Sequence, residues 1–218
     1  MFGRIAPAYD LLNRTLSLGL DVSWRKALAL TAAPPAGGVA LDLAAGTLDV
    51  AALLHAKIPR LTIVAADISL PMLKRGQTKI KNARILPLGA DGRSLPLPDS
   101  SVDCVTIAFG LRNIRPRTAA YAEIRRVLTT GGRFCILEFG SGQNRILGGM
   151  YNLYLSQFLP RLGRLISRDK QAYRYLAETI QAFPSALALE EELRHAGFSQ
   201  VTGRSLTAGI VWLHTAIN

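Results

Sequence analysis

The sequence predicts a doubly wound α/β domain with a mostly parallel sheet, and three observations support this prediction. Five apolar runs of strand length alternate with segments whose apolar residues recur at helical spacing. The strand runs are apolar at successive positions, as expected when helices cover both faces of a parallel sheet. A chain of 218 residues with 49% hydrophobic and 19% charged residues is long enough, and apolar enough, to bury a core. Regular alternation of strands and helices is typical of this fold class.

The elements follow one another in a clear order. Residues 7–32 have apolar side chains near helical spacing, interrupted around Gly19, and predict two helices within an N-terminal segment 1–33. Pro34 to Gly38 end the helical pattern. The predicted strands are then 39–44, 61–67, 83–91, 102–110 and 132–140, and the predicted helices between them are 48–58, 69–80 and 117–128.

The C-terminal third of the chain departs from this alternation. Residues 187–198 predict a helix, and residues 200–217 predict two strands joined by a tight turn, which would add a hairpin to the sheet. Before them, residues 143–183 predict a helical insert, with Pro160 bending or breaking the pattern. The insert either packs on the core or forms a lid over an apolar substrate. We expect a single domain over residues 1–218.

Composition limits the cellular setting. The net charge of +11 favours an anionic partner such as nucleic acid or acidic lipid, although a solvated basic surface explains it equally well. The sequence shows neither a secretory signal nor an apolar run of transmembrane length, which predicts a cytoplasmic protein. Cys104 and Cys135 lie in apolar runs and are expected in the core, and the sequence predicts no metal site. The three histidines (His55, His195 and His214) are expected to be structural or exposed.

The loop after the first predicted strand, "DLAAGTLD", is the first candidate for a ligand site. In doubly wound sheets ligands bind at the carboxyl ends of the strands, and Gly46 can let the backbone approach a ligand closely. The full glycine pattern of a dinucleotide loop is absent, which argues against NAD or FAD. Taken alone, the loop is equally consistent with a plain strand–turn–helix connection.

Acidic residues at the next two strand ends strengthen this prediction. Asp67 follows the loop by about twenty residues, where an acid can accept both hydroxyls of a ribose, although it could instead cap the next helix. Asp91 could accept from an adenine amino group or belong to a turn. A small-residue loop followed by two such acids predicts a site for an adenosyl group without phosphates, and therefore S-adenosylmethionine as the cofactor.

Several motifs resemble those of the ubiquinone/menaquinone biosynthesis C-methyltransferases, the UbiE/MenG family. The resemblance runs from Phe2 nearly to the C-terminus, and "FGLRN" and "YRYLAETI" are more specific than the loops common to all methyltransferases. The matching stretches, in chain order, are "FGRIAPAYDLLN", "LDLAAGTLD", "AADIS", "GADGRSLPLPD", "FGLRNI", "RVLTTGGRFCILEF", "QAYRYLAETI" and "LTAGIVWLH".

The resemblance implies a class I methyltransferase fold, with a seven-stranded sheet whose last strand is antiparallel. It also implies methyl transfer from S-adenosylmethionine to a ring carbon of a polyprenylated benzoquinol or naphthoquinol. The expected cofactor-binding residues are Ala45, Gly46, Thr47, Asp67, Ile68, Asp91, Gly92 and Ala108.

The chain departs from the family pattern at three positions. Ala108 stands where many members have serine, and Asp91-Gly92 stands where the family often has Asn-Ala. Leu48 replaces a glycine of the usual "GGTGD" loop, and a leucine held at positive φ would be strained by roughly 1–2 kcal/mol. An active enzyme is the favoured interpretation, and a relative with weakened cofactor binding is the alternative.

Methylation of an aromatic carbon requires a phenolate, which the protein can stabilise. We expect Arg112, Asn113 and Tyr173 to serve the reaction, although Arg112 could instead be a surface cap. A guanidinium is a poor base, so Arg112 would stabilise the phenolate or orient a water. The expected substrate-binding residues are Tyr151, Tyr154, Phe158 and Arg174.

The substrate class predicts the partners. A polyprenyl quinol resides in the membrane, so the apolar insert and the basic charge together predict peripheral binding to an anionic membrane surface. An RNA methyltransferase is the alternative suggested by charge, but the sequence has no appended RNA-binding module and its most apolar insert lies where the substrate should enter. Nucleic acid is therefore not favoured, and the sequence leaves open both the kind of quinol ring and a homodimer.

Overall fold

The computed structural model of the protein describes residue 14 and residues 17–80, 83–140 and 170–218, and of residues 170–174 it describes only the helical backbone. These residues form six α-helices and one seven-stranded sheet. The helices are α1 (Leu20–Ala32), α2 (Asp49–Lys57), α3 (Leu70–Lys79), α4 (Arg117–Val127), α5 (Lys170–Gln181) and α6 (Ala186–His195). The strands are β1 (Val39–Leu43), β2 (Thr62–Asp67), β3 (Ile85–Gly89), β4 (Val102–Ala108), β5 (Leu128–Phe139), β6 (Ser199–Leu206) and β7 (Val211–Ile217).

The strand order across the sheet is β3-β2-β1-β4-β5-β7-β6. All neighbouring pairs are parallel except the two that involve β7, which runs antiparallel to both β5 and β6. The predicted fold class is confirmed, including the antiparallel last strand and the C-terminal hairpin.

Helices cover both faces of the sheet, which explains why the strands are apolar at successive residues. Ala40 of β1 belongs to a core that contains buried residues of α1, α2 and α3, whereas its neighbour Leu41 belongs to a second core with residues of α4 and α6. Successive side chains of a strand point to opposite faces, so a strand between two helical layers must be apolar on both.

Predicted boundaries are wrong at the junction of α4 with β5 and at both ends of β3. Helix α4 ends at Val127, and β5 begins at Leu128, a residue that helical spacing assigns to the helix. Leu128 already pairs with Val102 of β4, and the register then shifts before Cys104 pairs with Arg133. Such an irregularity hides the start of a strand from pattern reading. Strand β3 is also shorter than predicted.

The residues expected to be structural occupy the core. Cys104 and Cys135 are fully buried free thiols on adjacent strands. His214 is buried, and its Nε2 lies 3.3 Å from the carbonyl oxygen of Ala186. Burial lowers the pKa of His214, because the charged imidazolium loses its hydration. His214 is therefore a neutral structural residue.

No helix in the described part of the chain is long and apolar enough to cross a membrane. The first predicted N-terminal helix, and the insert from residue 143 as far as residue 169, lie outside the described residues.

Candidate active site

A cavity of about 430 Å³ opens at the carboxyl end of the sheet, where the strand order reverses. Strand β3 lies on one side of β1, and the next strand in the chain, β4, lies on the other side. The loops that follow β1 and β4 therefore diverge and leave a crevice between them. The walls come from the loops that follow β1, β2, β3 and β4, and from α5.

Asp67, at the end of β2, connects the first two of these loops. Its Oδ2 accepts a hydrogen bond from the backbone amide of Gly46 (2.8 Å), and its Oδ1 accepts from that of Ser69 (2.7 Å). Burial raises the pKa of Asp67, while these two amides lower it in part. Ser69 is the N-cap of α3, so Asp67 itself does not cap that helix. Asp67 lines the cavity, and each of its carboxylate oxygens keeps a second lone pair for a further hydrogen bond, as contact with ribose hydroxyls requires.

A smaller cavity of about 30 Å³ adjoins the first around Gly46. It is lined by Asp42, whose Oδ2 is buried and has no hydrogen-bond partner within the described ranges of the chain, while Oδ1 accepts from the hydroxyl of Thr106 (2.9 Å). Burial raises the pKa of Asp42 to about 7. Arg25 of α1, paired with Asp21, lies on the same wall. The small cavity therefore presents both an acid and a cation. Its other lining residues are Ala44, Ala45, Thr47, Asp49, Val50 and Ala108.

Leu48 does not obstruct either cavity. It has φ +67° and precedes the first residue of α2, so the expected left-handed conformation is present. Its side chain is fully buried and contacts Gly76 of α3, where an added Cβ would lie only 2.4 Å from Leu48 Cγ. The leucine therefore fills space between α2 and α3 that Gly76 leaves open. The burial of the Leu48 side chain compensates for a left-handed backbone conformation that favours glycine.

The loop after β3 forms the opposite wall. Asp91 and Gly92 line the large cavity, as do Ile68 and Ala108. The Asp91 carboxylate forms an ion pair with Arg93 (2.5 Å), which holds the pKa of Asp91 below its ordinary value. Asp91 thus remains an ionised acceptor. Ile68 exposes 73% of its surface, an apolar area against which a planar ring bound next to Asp67 would pack.

Arg112 follows β4 in a short 3₁₀ turn and lines the large cavity. It is buried, so its interpretation as a surface cap is wrong. Its Nη1 donates to Oε1 of Glu138 at the end of β5 (2.5 Å), and its guanidinium lies 5.5 Å from the centre of the Phe139 ring. Nε of Arg112 is buried and has no partner among the described residues.

Asn113 lies next to Arg112 on the same wall. Tyr175 of α5 donates a hydrogen bond from its hydroxyl to Oδ1 of Asn113 (3.0 Å), and both residues line the cavity. Tyr175 is thus placed beside Asn113 in the cavity, and the role expected of Tyr173 stays a prediction. Of the other expected residues, Tyr173 and Arg174 lie in α5 without described side chains, and Tyr151, Tyr154 and Phe158 lie outside the described residues.

The backbone is strained where it enters this turn. Phe109 has φ +57°, which is rare for a bulky side chain, and its amide donates to the carbonyl oxygen of Leu137 (2.8 Å). The Phe109 ring packs against the Phe139 ring, with centroids 4.7 Å apart and an interplanar angle of 35°. Strain of this kind persists where surrounding packing imposes it, and it is concentrated at functional sites.

The two adjoining cavities fit S-adenosylmethionine. The buried Oδ2 of Asp42 has the chemistry to accept from an ammonium group, and the Asp67 carboxylate has the chemistry to accept from ribose hydroxyls. At Gly46, between them, an added Cβ would meet nothing closer than Met72 Cε at 3.6 Å, so this part of the crevice is open. A doubly wound sheet with an antiparallel β7 and such a site defines an S-adenosylmethionine-dependent class I methyltransferase.

Comparison with known proteins agrees with this class. The model of the ubiE/COQ5 methyltransferase family matches residues 1–218. The chain is 44% identical to a ubiquinone/menaquinone biosynthesis C-methyltransferase UbiE of Syntrophotalea carbinolica, over 99% of this chain and 91% of that protein. It is 43% identical to a demethylmenaquinone methyltransferase of Thermus thermophilus, over 98% of each. The protein therefore belongs to the ubiE/COQ5 methyltransferase family.

Solved structures show the same fold at much lower sequence identity. A putative methyltransferase from Haloferax volcanii, solved with the Trm112 activator, superposes with a TM-score of 0.73 at 16% identity, over 100% of this chain and 97% of that one. A SAM-dependent methyltransferase from Aquifex aeolicus gives 0.66 at 15% identity, over 91% of each chain.

Sequence reasoning missed three polar residues of the site, although each left a signal. Glu138 is an acid within the apolar run "FCILEF", and Asp42 interrupts "VALDLA" in the same way. A charged residue inside a buried strand requires a partner or a ligand, and this rule would have found both. Arg25 lies on the inner face of an amphipathic helix, where a cation is equally unusual.

Proposed function

We propose that the protein transfers a methyl group from S-adenosylmethionine to a ring carbon of a polyprenylated quinol, demethylmenaquinol or its benzoquinol equivalent. The observation that carries the proposal is the buried guanidinium of Arg112 in the same cavity as Asp67. The names of the relatives support the substrate class, since they include both ubiquinone/menaquinone and demethylmenaquinone methyltransferases.

Arg112 supplies the charge that the reaction needs. When bound, S-adenosylmethionine provides the electrophilic methyl group. A quinol becomes a carbon nucleophile when its hydroxyl gives its proton to water, because the phenolate oxygen raises electron density at the ortho carbon. The ring carbon that gains the methyl group then releases its hydrogen as a proton to water, which restores the aromatic ring, and S-adenosylhomocysteine leaves. A buried guanidinium stabilises that phenolate strongly and remains protonated while doing so.

Asn113 and Tyr175 orient the ring beside Arg112. Tyr175 donates to Oδ1 of Asn113, which fixes the amide so that its NH₂ group is available as a donor to a quinol oxygen. Phe109, on the same wall, offers an apolar surface for the ring. Holding the ring carbon in line with the methyl group supplies a large share of the rate enhancement.

The cofactor contacts divide between the two cavities. Asp67 binds the ribose hydroxyls, while Ile68, Asp91 and Gly92 surround the adenine. Ala45, Gly46, Thr47 and Ala108, which line the small cavity, bind the amino-acid end. The packing of Leu48 against Gly76, away from both cavities, argues against the alternative that Leu48 weakens cofactor binding.

The protein works as a peripheral membrane enzyme on the cytoplasmic side, because its substrate is a membrane lipid. Arg93 and Arg115 lie exposed at the mouth of the cavity, and residues 144–170 add five basic side chains against one acid. Basic side chains near a bilayer surface favour anionic lipid. Arg115→Glu should weaken binding to phosphatidylglycerol vesicles in a flotation assay, and Arg60→Glu, at the opposite end of the sheet, should not. Equal binding of all three proteins would refute the orientation.

The substrate class is tested with purified protein, radiolabelled S-adenosylmethionine and three acceptors: demethylmenaquinol, the demethylated benzoquinol, and tRNA. We expect label in one or both quinols and none in tRNA. Label in tRNA alone would establish the RNA methyltransferase alternative. Size-exclusion chromatography with light scattering on the same preparation decides whether the protein forms a homodimer.

A further inference from the structure

Glu138 is a fully buried carboxylate at the end of β5, and each of its oxygens is used. Oε1 accepts from Nη1 of Arg112 (2.5 Å) and from the backbone amide of Phe139 (3.0 Å). Oε2 accepts from the backbone amide of Arg112 (3.4 Å). One carboxylate therefore holds Arg112 by both its main chain and its side chain.

We infer that Glu138 is a positioning residue that fixes the Arg112 guanidinium in the methyl-transfer site. The inference rests on the proposed function, because it gives Arg112 its role at the quinol oxygen. Glu138 acts through Arg112 alone, since it is not among the residues that line the cavity.

Stability does not explain why this pair is buried. The desolvation of two charges cancels much of their attraction, so well-packed apolar residues usually stabilise a protein as well or better. A buried ion pair does fix geometry. Arg112 follows the strained residue Phe109 and lies in a turn of three residues, which by itself constrains a long side chain poorly. Glu138, together with the Phe139 ring, restricts the guanidinium to one orientation.

The same geometry explains why the residue must be a carboxylate. Glutamine has nearly the same shape, but one of its terminal atoms is an NH₂ donor. In either orientation this NH₂ would face an N–H of Arg112, either the guanidinium or the backbone amide. Glu138→Gln therefore preserves volume, removes the negative charge that holds the guanidinium, and leaves one of the two contacts with Arg112 unmade.

The test is a double-mutant cycle of Glu138→Gln and Arg112→Gln, measured as kcat for quinol methylation and as the Kd of S-adenosylmethionine. We expect Glu138→Gln to lower kcat about 10–100-fold, as misplacement of a catalytic group does. The cofactor Kd should stay within about threefold of wild type. In the Arg112→Gln background, Glu138→Gln should lower kcat no further, because nothing is left to position.

Folding stability is measured in parallel, to distinguish a positioning role of Glu138 from a purely structural one. The double variant removes both buried charges, so its urea midpoint should recover relative to Glu138→Gln, while its kcat should stay at the level of Arg112→Gln. If kcat recovers with stability, or if the two losses multiply, Glu138 is merely structural and the inference is wrong.

A matched control is the ion pair of Arg117 with Glu192, which joins α4 to α6 and does not line the cavity. Glu192→Gln should lower the urea midpoint and leave kcat unchanged. Failure of wild-type protein to methylate any quinol would refute the proposed function itself. Methylation by the wild type, with Glu138→Gln equally active, would refute only the role of Glu138.

Discussion

Replacement of Leu48 by glycine restores the residue usual in the family, and we expect it to destabilise the protein. The substitution relieves the left-handed strain at φ +67°, worth about 1–2 kcal/mol. It also removes a fully buried leucine side chain, and truncation of a buried leucine costs about 2–5 kcal/mol. The free energy of unfolding should therefore fall by about 1–3 kcal/mol, the difference between these two effects.

Gly76 supplies the internal test of this reasoning. A Cβ at this position would lie 2.4 Å from Leu48 Cγ and 2.9 Å from the carbonyl carbon of Thr47. Gly76→Ala alone should thus destabilise by about 1–3 kcal/mol through overpacking. Combined with Leu48→Gly, it should cost less, because the first clash is gone and alanine favours the helix by about 0.5–1 kcal/mol. The Thr47 contact keeps the rescue incomplete.

Urea unfolding, followed by far-UV circular dichroism, measures the four proteins of this cycle, and calorimetric titration gives their Kd for S-adenosylmethionine. Since Leu48 lines neither cavity, Leu48→Gly should leave this Kd within about threefold of wild type. A more stable Leu48→Gly variant, strictly additive effects with Gly76→Ala, or a tenfold tighter Kd would each refute the compensation between Leu48 and Gly76.

Three further predictions concern the polar residues of the site. Burial raises the pKa of Asp42 from 3.8 to about 7, so the unfolded chain loses this proton at lower pH than the folded protein does. The free energy of unfolding should therefore fall by up to about 4 kcal/mol as the pH rises from 3.8 to about 7. Urea unfolding measured across this pH range should show a smaller fall for Asp42→Asn. Asp67→Asn should raise the Kd of S-adenosylmethionine, measured by calorimetry, about 10–100-fold, because it removes a charged acceptor and turns an NH₂ group toward a backbone amide. An unchanged Kd would exclude ribose binding by Asp67. Tyr175→Phe should lower kcat about 3–10-fold in the methylation assay with the cofactor Kd unchanged, because Asn113 loses its donor; a change in Kd alone would assign Tyr175 to the cofactor instead.

The cofactor loops were predictable from sequence because strand ends are local features. Asp67 and Asp91 each end an apolar run, and the doubly wound topology brings the carboxyl ends of parallel strands to one edge. Their spacing along the chain was therefore sufficient to place them together. Their present partners, Gly46 for one and Arg93 for the other, depended on loop conformation and were not predictable.

The hydrogen bond from Tyr175 to Asn113 shows where pattern reading fails. Which residues of α5 reach Asn113 depends on how the helix is rotated against the sheet, and the sequence carries no local signal for that rotation. The role expected of Tyr173 stays a prediction.

The sequence by itself determined the alternation of strands and helices, the antiparallel hairpin and the edge of the sheet that holds the site, because apolar periodicity and turn residues act locally. Tertiary structure decided the directions of Leu48 and Arg112. Leu48 turns away from the cavity because Gly76, in the next helix, leaves room for it. Arg112 stays in the cavity because Glu138, 26 residues further along the chain, reaches it across adjacent strands. The room beside Gly76 and the charge of Glu138 reach these residues only after folding, because both lie more than 25 positions away along the chain.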